Sequence, residues 1–202
     1  MIVSPTFELE SSLAAPVAGI DEAGRGPWAG PVVAAAVILD RDNIPPGLRD
    51  SKTLTEKRRE MIAKDIYACA IVGVGVASVD EIDEINILQA TFLAMARAEV
   101  SLSIQPKTCI VDGSQKPQLK APTQMIVKGD AKSLSIAAAS IIAKTTRDQM
   151  MRDLALEHPH YAWEKNKGYG APAHREGLEA FGVTPHHRKS FAPIHNMLCA
   201  DS

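Results

Sequence analysis

The chain reads as an α/β protein: a mixed central sheet flanked by helices, with a small C-terminal helical appendage. Three observations predict this. Short Val- and Ala-rich runs come first, at 16–20 and 32–39. Apolar runs then alternate with stretches of helical periodicity, the order of a layered fold. From Pro159 onward the chain turns rich in Pro, Gly and His. Its 202 residues suit one domain or one domain with an appendage. The expected division is a loose arm at 1–15, the main body at 16–158 and the appendage at 159–202.

Taken in order, 16–39 forms strand, loop, strand. The polar connection through Pro45-Pro46-Gly47 leads to a helix entry at Asp50-Ser51-Lys52-Thr53-Leu54-Thr55. Thr55 can cap a helix whose Met61, Ile62 and Ile66 share one side. Ile71 to Ala77 is a third strand, and its alternate glycines bare one face for a close-packed helix. Residues 78–104 are mostly helix, with Ile85, Leu88, Phe92 and Met95 at core spacing. Strands at 108–112 and 124–128 follow, then a long helix from about Ser133 to Glu157. Small residues in its first half let it lie close to the sheet. The tail holds one more helix, roughly 173–181, and then loop.

Composition excludes little but directs attention. Hydrophobic residues make up 46% and charged residues 23%, ordinary for a chain that buries a core. The net charge of -2 gives no global basic field. Seven Lys/Arg nonetheless fall between Gly113 and Arg152, against Asp130 and Asp148, so one face can be basic; ordinary charged helix surfaces explain the same count. Cys69, Cys109 and Cys199 are widely spaced and form no zinc motif, and Cys69 and Cys109 sit in apolar contexts. No secretory segment and no long apolar run is visible, so the expectation is a soluble cytoplasmic monomer without a membrane partner.

The chemistry concentrates in acids at strand ends. Asp21 and Glu22 close the first strand, Asp112 closes another, and Asp130 stands between a strand and a helix. Adjacent strand residues point to opposite faces, so one of Asp21 and Glu22 must face the packed side. A buried carboxylate is costly unless it is paired or holds a metal. Four carboxylates gathered at strand ends, where α/β sheets bind ligands, suit Mg²⁺ or Mn²⁺. Two such ions about 4 Å apart are the apparatus of phosphodiester hydrolysis. The competing reading is a Gly-rich hairpin with surface acids. Asp148 lies about fifteen residues into the long helix, roughly 22 Å from its start, and reads as a surface partner of Lys144.

Gly19-Ile-Asp-Glu-Ala-Gly-Arg-Gly-Pro27 with Ala29-Gly-Pro31, Asp50-Ser-Lys-Thr-Leu54, Val111-Asp-Gly113 and Lys128-Gly-Asp130 stand in order along the chain. Ala137-Ala-Ala-Ser-Ile-Ile-Ala-Lys144, Arg147-Asp148, Lys167-Gly-Tyr-Gly170, Pro185 and His187-Arg188 follow. Together these motifs closely resemble bacterial ribonuclease HII from about residue 18 to 193. The resemblance implies an RNase H-like catalytic domain. It implies an endonuclease that cuts the RNA strand of RNA/DNA hybrids, and duplex DNA on the 5′ side of an embedded ribonucleotide. Two-metal hydrolysis with Mg²⁺ or Mn²⁺ would leave 3′-OH and 5′-phosphate ends. The family's four carboxylates fall on Asp21, Glu22, Asp112 and Asp130, its Gly-Arg-Gly loop on Gly24, Arg25 and Gly26, and its junction-sensing tyrosine on Tyr169.

The 2′-hydroxyl distinguishes RNA from DNA. Backbone groups of Gly24 to Gly26 can reach it unobstructed, and Tyr169, between two glycines, can stack on a sugar; a loop tyrosine covering the core edge is the plainer reading. Arg25, Lys52, Arg188 and Ser190 are candidates for phosphate contact, which positions a duplex without reading sequence. His186 and His187 read as structural or substrate-facing rather than as metal ligands, because neighbouring histidines diverge. A dinucleotide loop is disfavoured, since a Val-rich strand rather than a helix follows the glycines. The other class in play is a non-enzymatic nucleic-acid-binding domain with a basic face. Clustered acids count against it, because they repel phosphate unless a cation is present.

Overall fold

The computed structural model describes residues 4–200. Five strands form one sheet: β1 (Val17–Ala23), β2 (Val32–Ile38), β3 (Ile71–Ala77), β4 (Thr108–Asp112) and β5 (Thr123–Ile126), in the order β3-β2-β1-β4-β5. The β1–β2 and β2–β3 pairs are antiparallel, while β1–β4 and β4–β5 are parallel. The mixed sheet expected from the sequence is therefore present. β1 runs one residue past Glu22, so the acid pair lies at the end of the strand as expected.

Helix α2 (Glu56–Cys69) and the long α4 (Leu134–Glu157) cover one face, packing Ile62, Ile66, Ala137, Ala138 and Ile141 on Ala35 and Val37. Helix α3 (Val79–Val100) covers the other, packing Ala90, Ala94, Met95 and Ala98 on Ala34 and Ala36. Small residues set the layer spacing. A Cβ on Gly19 would stand 2.2 Å from the backbone of Ser135, and one on Gly75 would stand 2.0 Å from the carbonyl of Ala94. The alternate glycines of β3 thus admit α3 as expected. Thr55 caps α2 and Ser133 caps α4, each accepting a backbone N–H one turn on.

Four expectations are corrected. Residues 5–13 are not a loose arm. Thr6 bridges to Ser133, and the short helix α1 (Glu8–Ser11) carries a buried Glu10. The Glu10 carboxylate accepts from the Ser133 hydroxyl at 2.6 Å and from the Ser135 N–H at 2.8 Å. A negative charge is favourable there, at the start of α4. Residues 1–3 lie outside the described residues. Met61 is half exposed, and only Ile62 and Ile66 of the predicted trio reach the core. Helix α3 kinks at Asn86 (φ 68°), whose side chain caps the second half through the Leu88 and Gln89 N–H groups. The appendage contains three helices, α5 (Trp163–Asn166), α6 (Pro172–Phe181) and α7 (Ala192–Ala200), rather than one. They close over Met151, Trp163, Leu178 and Ile194, a satellite core at the far end of α4. No helix among the described residues is long and apolar enough to cross a membrane.

Candidate active site

Strand register brings the acids together. Val111 pairs with Ile20 in parallel, so Asp112 follows beside Asp21 on the neighbouring strand. β5 is in register with β4 and leads into a 3-10 turn, Gly129–Ala131, that carries Asp130. The Gly129 N–H donates to Asp112 Oδ1 at 2.6 Å and ties this turn to β4. A Cβ on Gly129 would stand 2.6 Å from Ile136, so only glycine fits there without displacement.

The acids depart from their ordinary behaviour as crowded carboxylates should. Burial raises the Asp21 pKa well above its usual value, and the charges of Glu22 and Asp112 raise it further. The Glu22 N–H, 2.7 Å from Asp21 Oδ1, and the Ser140 hydroxyl partly offset this. Glu22 is raised by burial and by Asp112, against the pull of Arg25, whose Nη1 is 3.4 Å away. Asp130 is raised by burial, by Asp50 and by Asp112. Lys52, whose pKa burial alone would lower, is held above the usual value by Asp50, Asp21, Asp130 and Asp112. All four predicted acids therefore share one electrostatic neighbourhood, answered by Arg25 at Glu22 and by Lys52.

The donor set is all oxygen and rich in negative charge, which suits hard divalent ions. It is also open. Among the described residues, no three of these carboxylates bring oxygens within 4.8 Å of one another. Magnesium-type sites of this kind complete their shells with water and substrate oxygens.

Beside the acids lies a cleft of about 310 Å³, lined by Asp21, Glu22, Gly24, Arg25, Gly26, Lys52 and Tyr169 among others. Gly24 adopts φ +99°, and a Cβ there would strike Arg147 at 2.0 Å. A Cβ on Gly26 would stand 3.4 Å from the Tyr169 ring. Loop and tyrosine, far apart in sequence, thus form one wall. Tyr169 is half exposed, and its carbonyl lies 2.9 Å from His174 Nδ1. The preceding turn is locked by Lys167 and Gly168 at positive φ and by the Trp28 N–H donating to the Gly168 carbonyl at 2.8 Å.

Arg188 does not take its expected place. It is fully buried and its guanidinium donates to the carbonyls of Gly24, Arg25, Pro27, Gly30 and Pro31 at 2.6–3.1 Å. It has no N–H left to offer a phosphate. Arg147, also buried, donates to Ala29, Pro31 and Lys167 carbonyls. Two arginines therefore hold the loop from behind. Ser190 donates to Asp83 of α3 at 2.6 Å, which docks the 188–190 segment. Arg25 and Lys52 remain exposed toward the cleft.

Asp148 pairs with Lys144 as expected, at 2.6 Å, but it is buried rather than on the surface. Its second partner is Arg59, 3.5 Å away. Arg59 also donates to the Ser51 and Leu54 carbonyls, and the Ser51 hydroxyl bonds Ser140 at 2.8 Å. Apart from the Lys144–Asp148 pair, this network beside the cleft escaped sequence reasoning. Its members come from α2, α4 and the 3-10 turn at 51–53, and no local pattern links them.

A mixed sheet with carboxylates crowded across its central strands, and a cleft beside them, defines a hydrolase of the ribonuclease H class. Ribonuclease H2 of Pyrococcus horikoshii superposes with a TM-score of 0.76 at 31% identity, covering 90% of this chain and 96% of that one. The sequence pattern of the family described as Ribonuclease HII matches residues 18–194. Ribonuclease HII of a Jannaschia species is 54% identical across 98% of this chain and 100% of its own length. That of Paracoccus denitrificans is 58% identical, covering 92% and 89%. The chain belongs to the ribonuclease HII family and is an endonuclease of the ribonuclease H type. The non-enzymatic binder is thereby set aside.

Proposed function

We propose that this chain cleaves the RNA strand of RNA/DNA hybrids and cuts duplex DNA on the 5′ side of an embedded ribonucleotide, leaving 3′-OH and 5′-phosphate ends. The observation that carries this reading is the shared wall of Gly24-Arg25-Gly26 and Tyr169 beside the crowded acids. Asp21, Glu22, Asp112 and Asp130 would hold Mg²⁺ or Mn²⁺, two ions once substrate is bound. Such ions supply Lewis-acid charge to the attacking water and the departing oxygen.

The chain's own residues do the rest. The backbone of Gly24 to Gly26 meets the ribose 2′-hydroxyl, because no side chain at 24 or 26 stands in the way. Tyr169 stacks on the sugar at the RNA–DNA junction. Lys52 and Arg25 steer the phosphates toward the acids and limit their repulsion of a polyanion. Arg147 and Arg188 fix the loop so that its recognition groups need no ordering when substrate arrives.

The test is digestion of a duplex carrying one ribonucleotide, beside an all-DNA control and a continuous hybrid. Cleavage 5′ to the single ribonucleotide, with the DNA control intact, is the expected result. Cleavage of the continuous hybrid alone would remove the junction-sensing role.

A further inference from the structure

Outside the cleft, Glu157, His158 and His186 form the one group among the described residues whose three ligand atoms lie within 4.8 Å of one another. Sequence reasoning dismissed His186 as a ligand because its neighbour His187 must point elsewhere. His187 does so: it is fully buried and bonds His174 and Thr184. That leaves His186 to pair with a histidine from another element, at the end of α4.

The pair is held in place. The His158 and His186 rings stand 5.1 Å apart at 64°. The fully buried Trp163 meets both edge-on, at 5.6 Å and 6.2 Å. Neither imidazole has a protein hydrogen-bond partner or an ion-pair contact among the described residues. Preset rings with uncommitted nitrogens, facing a carboxylate, lack the usual reason for such a conjunction.

The surroundings favour a cation. Glu157 and His158 end a 24-residue helix with no basic residue in its last turn, so the negative pole of α4 is unanswered by its own sequence. An adjoining cavity of about 510 Å³ adds Asp80 and Asp153 to Glu157 and His186. Two imidazoles and a carboxylate with an open position make the donor set of zinc-class ions rather than of magnesium. Zn–N bonds of about 2.0–2.1 Å require the ligand atoms to close in by at most about 1.5 Å.

We propose that Glu157, His158 and His186 form a second metal site, separate from the acidic cleft, that takes a zinc-class divalent ion. The ion would clip the end of α4 to the 184–188 segment. That segment already supports the recognition loop, since the Gly30 N–H donates to the His186 carbonyl at 2.9 Å. The site is structural and takes no part in cleavage.

The test measures Zn²⁺ binding by calorimetry to the full chain carrying Asp112→Asn and Cys199→Ser, in excess Mg²⁺. The second change removes a competitor, since Cys199 Sγ lies 3.7 Å from His195 Nε2. One Zn²⁺ per chain and a raised Tm are expected. Co²⁺ in its place should show the visible absorption of a nitrogen-ligated, low-coordinate ion. His158→Ala and His186→Ala should each weaken binding at least about tenfold, and Glu157→Gln less. On the otherwise native chain, His158→Ala with His186→Ala should leave Mg²⁺-dependent cleavage unchanged. Absence of zinc binding, or unaltered affinity in both histidine variants, overturns the proposal. If a histidine variant loses its native circular dichroism, Glu157→Gln and the Co²⁺ spectrum decide it: unaltered affinity, or a spectrum without nitrogen ligation, is fatal. Failure of cleavage itself would count against the nuclease reading alone.

Discussion

Behind the Gly24–Pro31 loop, Arg147 and Arg188 are buried without a carboxylate in ion-pair contact among the described residues; in front of it, Asp21, Glu22 and Asp130 crowd together with only Lys52 and Arg25 to answer them. The two regions bury charge in opposite ways. The arginines spend their N–H groups on backbone carbonyls, so their charge is solvated by peptide dipoles. Burial still costs them: the Arg188 pKa is lowered to about 9, by burial and then by Arg147. The acids accept few hydrogen bonds and answer burial by holding protons more tightly. A charge satisfied by the fold serves the fold, and a charge the fold leaves unsatisfied is available to a ligand. Arg147 and Arg188 therefore serve as scaffold for the loop, and the cleft in front of it is the surface we propose for the reaction.

The largest effect should come from the ions. Withholding Mg²⁺ and Mn²⁺ should reduce cleavage of a hybrid to background, a fall of at least about 10³-fold, the scale on which charge stabilisation acts in such sites. Gel assays across a metal titration check this, and residual metal-free cleavage would break the contrast from the acidic side.

Arg188→Ala attacks it from the other side. Several carbonyls lose their donor at once, so stability should drop by about 3 kcal/mol or more, roughly 6–12 °C in Tm for a chain of this size. A melt within a degree of wild type would show that the arginine is not scaffold.

Much of this was readable beforehand, and the reason differs by region. The acids sit next to strand punctuation, so local pattern singles out Asp21, Glu22, Asp112 and Asp130, which the fold brings into one electrostatic neighbourhood. The glycines of β3 announced α3 because a missing side chain is itself a packing signal. Arg188 was misread because a basic residue in a polar, exposed-looking run is ordinarily a surface charge. Its true partners lie more than 150 residues away along the chain. Glu10 was missed for the same reason: its role at the start of α4 depends on a contact over 123 residues. Asp148 was matched to the correct lysine, since i,i+4 geometry is local, but its burial under Arg59 is not.

Smaller changes sharpen the comparison. Tyr169→Ala should weaken preference for a junction substrate roughly tenfold, the effect of losing about 1–2 kcal/mol of stacking, with little change in Tm because the ring is half exposed. Competition between junction and all-hybrid substrates measures it, and an unchanged ratio would remove Tyr169 from recognition.

The smallest effect carries the sign of the acids' strain. Burial raises Asp21, Glu22 and Asp130 in the folded chain. Between the ordinary carboxylate value and the raised one, the folded state keeps protons that the unfolded chain has released. Stability of the metal-free protein should therefore fall as pH rises through that window. Asp21→Asn should relieve part of this, raising the metal-free Tm at neutral pH by roughly 2–4 °C, the shift that about 1 kcal/mol produces. Melts of both proteins from about pH 4 to 8 check the sign, and an Asn variant less stable than wild type would show that Asp21 is satisfied as it stands.

The proposed cleavage requires the acids to act together as one cutting centre. The most direct measurement is hybrid cleavage by Asp112→Asn across a Mg²⁺ titration, with circular dichroism on the same sample. A native spectrum and no cleavage at any Mg²⁺ concentration is the result expected. A native spectrum with wild-type turnover would place the chemistry somewhere else.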